Sequence, residues 1–282
     1  MDRSTIISFI PDLLFATRVE SIAERAGYRS INVDNVNFWF YIQDETSSTL
    51  ASLQTEETKE KLLQALTLWQ PALIIFDINS EFIPWKDWVG LIKSSTATRR
   101  FPVLCFGSHK NTQVIKTARS IGTDRVVTRS QFVNELTVLI RIYVRLPDIQ
   151  AINQACNELL SEKAICGLEL FNQFHFFEAH EFLEEVWNED VTAGRELYRA
   201  ILQVAVAYLQ IERKNYYGAL EMFWRVRQWI THFPEKCKGI AVQQLRIDVE
   251  TVFEKLVSLG EECIQEFDLH LFKPEVFFTP EN

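Results

Sequence analysis

The stretch Phe176 to Trp187, FFEAHEFLEEVW, carries five acidic or imidazole side chains without interrupting an apolar stripe. At about 100° per residue, Phe176, Ala179, Leu183, Val186 and Trp187 share one helical face, while Glu178, Glu181 and Glu185 point away from it. His180 and Glu184 fall on the border, at i and i+4, which is the spacing for half-burial and for holding a ligand or metal together. The pattern limits what such a site could be. A di-metal bundle needs a second Glu-x-x-His motif, which the chain lacks. A zinc site of the H-E-x-x-H kind needs a second imidazole where Glu184 stands.

The following helical stretch, Arg195 to Arg213, is apolar in nearly every direction except a strip of Glu196, Arg199, Gln203 and Gln210. A mostly buried helix with a polar strip needs partners for it, so His180, Glu184, Arg199 and Gln203 are expected to form a polar cluster in which Arg199 pairs with Glu184. Glu178 and Glu181 flank it. Two readings stand open: the cluster fixes how the helices pack, or it binds a small ligand or metal. Trp187, Trp224 and Trp229 at helical spacing read as core. No Ser-His-Asp or Cys-His spacing and no Gly-rich phosphate loop occurs, and no cofactor is implied.

These residues lie in the second of two unlike halves. At 282 residues the chain is long enough for two domains of ordinary size. Residues up to Arg145 carry 17 basic and 15 acidic side chains, and the remainder 12 and 23. Such an acidic second half should repel nucleic acid and anionic membranes. No apolar run reaches the roughly 18 to 20 residues of a membrane span, and MDRSTIISFIPDLLF lacks a signal-peptide cleavage pattern. Cys105, Cys156, Cys166, Cys237 and Cys263 are far apart, odd in number and without C-x-x-C spacing, so reduced thiols in a cytoplasmic protein are expected.

In the first half, β-rich runs at Thr5 to Ile10, Ala72 to Phe76, Val103 to Phe106 and Val126 to Thr128 alternate with helical patterns. Alternation of this kind implies a doubly wound parallel sheet with its ligand positions beyond the carboxyl ends of the strands. The residues at those ends resemble the receiver domain of bacterial response regulators over roughly residues 1–146. PALIIFDINSE is similar to the strand bearing the phosphoacceptor, which the resemblance would place at Asp77. FPVLCFGSH and GTDRVVTRSQF are similar to the fourth and fifth strands.

The chemical positions of that family are largely replaced. Its Mg²⁺-binding acidic pair corresponds to Ile10-Pro11-Asp12, its hydroxyl residue to Gly107, with Ser108 next to it, and its lysine to Arg129. Aspartyl phosphorylation needs a divalent ion to neutralise the incoming phosphate, so one carboxylate at Asp12 predicts weak Mg²⁺ binding and no normal phosphotransfer. Arg129 is placed to pair with Asp77. Between Val33 and Glu60 the pattern is longer than a receiver by about twenty residues and includes Phe38-Trp39-Phe40-Tyr41, which should pack on the chain or on a partner.

Pro147 and Asp148 mark a boundary. Helices are expected over Gln150 to Leu160, Ala164 to Asn172, Phe176 to Trp187, Arg195 to Arg213, Tyr217 to His232 and Ala241 to Gln265, giving an all-helical domain at 150–265 and an extended tail at 266–282 that wraps onto a groove. FNQFHFFEAHEFLEEVW and IERKNYYGALEMFWRVRQW align at a spacing of forty residues, Ala179 over Ala219, which suggests stacked helix pairs. Phe177-Glu178-Ala179-His180-Glu181, Trp187, Arg195, Leu202-Gln203-Val204-Ala205 and Asn215 with Gly218-Ala219 resemble the bacterial family known as domain of unknown function 309. That resemblance implies an all-helical module and supplies no activity.

The fold class expected is therefore α/β plus all-α, a flavodoxin-like receiver sheet followed by a helical bundle. The function expected is regulatory or scaffolding through a protein partner of unknown identity, with self-association as a dimer open. The competing expectation is an enzyme or a ligand- or metal-binding protein built around His180 and Glu184.

Overall fold

The computed structural model describes residues 3–34 and 56–273. Phe38-Trp39-Phe40-Tyr41 and the tail aromatics Phe277-Phe278 lie outside the described residues. Two compact units divide the chain, Met1–Leu146 and Pro147–Asn282.

The first unit runs β1 (Thr5–Phe9), α1 (Leu13–Arg25), β2 (Arg29–Val33), α2 (Glu56–Trp69), β3 (Leu73–Asp77), α3 (Trp85–Ser94), β4 (Val103–Gly107), α4 (Thr112–Ser120), β5 (Arg125–Thr128) and α5 (Arg129–Tyr143). All strand pairs are parallel in the order β2-β1-β3-β4-β5. That is the flavodoxin-like doubly wound order, and it puts the crevice at the β1/β3 switch point. β1, β3 and β4 are buried at every position, as strands covered on both faces must be. Two apolar layers result. Phe9 stacks on Phe76 on one face, and Phe106 stacks on Phe132 on the other.

Strand β2 has no counterpart among the runs singled out in the sequence. RSINV is an edge strand with one fully buried residue, Val33, so hydrophobic alternation barely marks it. At the opposite end, the fifth strand stops at Thr128, whose side chain and Gln131 form a capping box, and Arg129 opens a helix.

The second unit contains α6 (Ile149–Ala155), α7 (Glu162–Asn172), α8 (Phe176–Glu189), α9 (Arg195–Glu212), α10 (Tyr216–Ile230) and α11 (Val242–Leu259). α9 is its hub: eleven of its residues are buried, and it packs against both α8 and α10. The forty-residue repeat extends into the turns. Phe174 and Lys214, forty apart, both take positive φ, at 65° and 58°. His175 N donates to Leu170 O and Asn215 N to Gln210 O, each at 2.9 Å. Phe174 N donates to Phe171 O and Lys214 N to Ile211 O. Both are Schellman turns built without glycine. Ala179 and Ala219 are fully buried at equivalent places in α8 and α10. After the short α6, the described helices of this unit are therefore two similar hairpins, α7–α8 and α9–α10, followed by α11.

Two expectations are corrected here. Cys156 and Cys237 form a disulfide, with sulfurs 2.16 Å apart. Motif spacing is blind to a pair separated by 81 residues and joined only by the fold. Reduced thiols at these positions therefore no longer support a cytoplasmic location. The start of the tail is also not extended: Ile264–Glu266 and Leu269–Leu271 are short 3₁₀ turns. They seat Phe272 in the helical core, stacked on Tyr208 at 4.1 Å and edge-on to Phe176. Among the described residues no helix is long and apolar enough to cross a membrane.

Candidate functional site

At the carboxyl end of β3, Asp77 is almost wholly buried, its side chain 4% exposed. Its Oδ1 accepts from Asn79 N at 2.9 Å, and its Oδ2 accepts from Arg129 Nη2 at 3.1 Å. The guanidinium reaches Asp77 because α5 begins at Arg129, directly beyond β5 at the same edge of the sheet. On its other side it lies over Phe15, 5.4 Å from the ring centroid. A carboxylate and an aromatic face thus fix one cation from two directions.

Asp12 stands after β1 but is engaged elsewhere. As the N-cap of α1, it accepts from Leu14 N at 2.9 Å. Pro11, Asp12, Asp77, Asn79, Glu81 and Arg129 are among the residues lining an open pocket of about 250 Å³. Ser108 does not take the place of the missing hydroxyl residue. Its amide donates to Asn79 Oδ1 at 2.6 Å and its Oγ accepts from Lys110 N, so it closes a local turn. A Cβ on Gly107 would lie 2.6 Å from Asn79 Oδ1 and 2.7 Å from Ile78 Cγ1, so the Asn79 side chain already occupies the space a larger residue there would need.

The receiver resemblance implies a Mg²⁺ ion at this place, and the residues do not fit one. A guanidinium already neutralises Asp77, and Asp12 completes a helix end. Among the described residues no three His, Cys, Asp or Glu side chains converge as a ligand set.

In the helical unit the structure separates the residues expected to meet. Glu178, Glu181 and Glu184 are exposed, and His180 is half-buried. Among the described residues Arg199 pairs with Glu196, three residues earlier on its own helix, at 3.5 Å. It does not pair with Glu184. The guanidinium instead lies between two indoles, 4.7 Å from the Trp187 ring and 4.0 Å from the Trp229 ring. An i,i+3 partner is always within reach, whereas Glu184 would have to leave solvent to meet a cation already packed by aromatic faces. Gln203 is buried, 4% exposed, and its Oε1 has no hydrogen-bond donor. Gln210 lies in the last turn of α9, and its Oε1 accepts from Asn215 Nδ2, in the turn before α10, at 2.8 Å. Sequence reasoning assigned Trp187 and Trp229 to the core; their part in holding Arg199 had no signal beyond their helical spacing.

Residues 165–222 match the model of the family described as "Domain of unknown function (DUF309)". Among solved structures, a response regulator receiver domain from Rhodospirillum rubrum is 20% identical over 51% of this chain and 97% of that one, with a TM-score of 0.38. The phosphorylated cyanobacterial phytochrome response regulator RcpA is 15% identical over 50% and 94%, TM-score 0.37. The chemotaxis response regulator CheY4 of Vibrio cholerae is 11% identical over 50% and 99%, TM-score 0.37. No curated protein matches the chain. The chain joins a receiver-like parallel sheet to a helical region that matches this family, and the strand order and register carry the first of those two statements.

Proposed function

We propose that this protein is a non-catalytic regulatory or scaffolding protein in which the receiver-like unit is held in one state by its own Arg129 and, with the helical module, engages a protein partner. A second copy of the chain is one candidate for that partner, and a cytoplasmic location belongs to the same reading. The observation that carries it is the Asp77–Arg129 ion pair. In a receiver-type site, chemistry needs a free carboxylate nucleophile and a divalent cation. Here the carboxylate is shielded by a fixed cation and the neighbouring Asp12 is bound to a helix end, so Asp12, Asp77, Ser108 and Arg129 serve as structural remnants. Shape recognition is what remains to such a surface.

The test is incubation of the full chain with acetyl phosphate and Mg²⁺, followed by intact-mass measurement. No stoichiometric adduct is expected. An adduct of one phosphoryl group that Asp77→Asn abolishes would overturn the proposal. The competing reading is an enzyme or a ligand or metal site at His180 and Glu184; the first reading is preferred because Glu184 is exposed and His180 only half-buried, whereas Asp77 and Arg129 form a defined pair.

A further inference from the structure

The helical unit carries a cationic cluster that its acidic composition gives no reason to expect. Arg195 and Arg199 lie one turn apart on α9, and both guanidinium groups approach the same ring, with Arg195 Cζ 5.0 Å and Arg199 Cζ 4.7 Å from the Trp187 centroid. Arg199 also lies over Trp229, and Arg225 stands one turn before Trp229 on α10. Burial lowers the Arg199 pKa from its usual value; Glu196 opposes the shift, and the charges of Arg225 and Arg195 add to it. Arg199 therefore senses both neighbouring cations.

Their counter-charges are few. Among the described residues Glu196, at 3.5 Å from Arg199, is the one carboxylate paired with any of the three. The hydrogen bond of Arg225 goes to a thioether, Met222 Sδ, at 3.8 Å. Arg195 Nε and Trp187 Nε1 are buried N–H donors without an acceptor. Stacking on indoles occupies the faces of guanidinium groups and leaves their N–H edges free. A half-buried set of donors with a net positive charge and too few acceptors calls for an acceptor-only partner, and buried donors are rarely left unmet. With its side chain 25% exposed, Arg199 remains within reach of a solute.

We propose that Arg195, Arg199 and Arg225, with the indole N–H of Trp187, form a binding site for the oxyanion group of a small molecule, a carboxylate or a phosphate. The site stands independently of the receiver-like unit, so its failure leaves the reading of Asp77 and Arg129 untouched.

Tryptophan fluorescence of the full chain reads this directly, because Trp187 and Trp229 contact the arginines. Inorganic phosphate and citrate are titrated separately against sodium chloride at matched ionic strength. A saturable emission change with at least one of the two anions is expected, and which one saturates identifies the class. R195Q and R225Q should each weaken that binding about tenfold or more, equivalent to roughly 1.4 kcal/mol, with the helical circular dichroism unchanged. R199Q is a poorer probe, since it removes the group packed between two indoles. Emission that follows chloride alone for both anions, or R195Q and R225Q proteins that titrate like the parent, would overturn the proposal.

Discussion

The Tyr208 hydroxyl is a polar group carried wholly into an apolar core. The ring is fully buried among Phe171, Phe176, Phe223 and Phe272, and its hydroxyl has no partner. Burial accordingly pushes the phenol pKa far up, with Asp248 adding to the shift. An unpaired buried hydroxyl contributes nothing to offset its lost hydration. Tyr208→Phe should therefore leave stability unchanged or raise it by up to about 1 kcal/mol, measured as the urea midpoint; a loss larger than that would mean the hydroxyl has an acceptor in solution. Cys105 follows the same physics, its thiol fully buried and its pKa raised chiefly by burial, and it is the least reactive kind of cysteine. Asp77 was legible in the sequence because a carboxylate at the end of an apolar run stands out. The Arg199 pairing was not, because spacing between helices says nothing of which neighbour a long, flexible side chain reaches first.

At the level of elements, the strand ends and the helix-to-helix turns decide the chemistry. β4 ends on Gly107 because Asn79, from the β3–α3 connection, lies across it to accept from Ser108 N. Gly107→Ala should cost about 1 to 3 kcal/mol from overpacking, seen as a lowered melting temperature, and Asn79→Ala should recover part of that loss in the double variant. An additive double variant would show that the two side chains do not compete for this space. Most elements could be read from periodicity: the buried strands β1, β3 and β4 and most helices of the second half lie where their apolar patterns put them, but α6 ends at Ala155, short of the expected Leu160. The edge strand β2 was missed for want of alternation. α11 stops at Leu259, before the expected Gln265, because Gly260 takes a φ of 69° and ends the helix. The forty-residue repeat was visible as aligned residues. That it includes two matching Schellman turns at Phe174 and Lys214 could not be seen, since neither position carries the usual glycine.

For the molecule as a whole, the largest departure from the sequence reading is the Cys156–Cys237 link. It ties the segment after α6 to the segment before α11, where Lys238 N also donates to Cys156 O and Lys238 Nζ sits 3.1 Å from Glu158. Closing a separation of 81 residues restricts the unfolded chain. Chain-entropy reasoning puts the stabilisation on the order of 4 kcal/mol. Urea unfolding with and without reductant should therefore show a lower midpoint when reduced; coincident curves, together with five titratable thiols in the denatured protein, would mean that the bond does not form. By itself the sequence determined the two-part organisation of fold types, the parallel sheet, the helical repeat and the thinness of acidic residues around Asp77, because each is written in local periodicity or in residues adjacent along the chain. Only the tertiary structure decided that Arg129 neutralises Asp77, that two cysteines 81 residues apart meet, and that two arginines of α9 gather over Trp187. Those contacts join residues with no fixed spacing, and which of several reachable partners wins depends on burial and packing that exist only once the elements have docked.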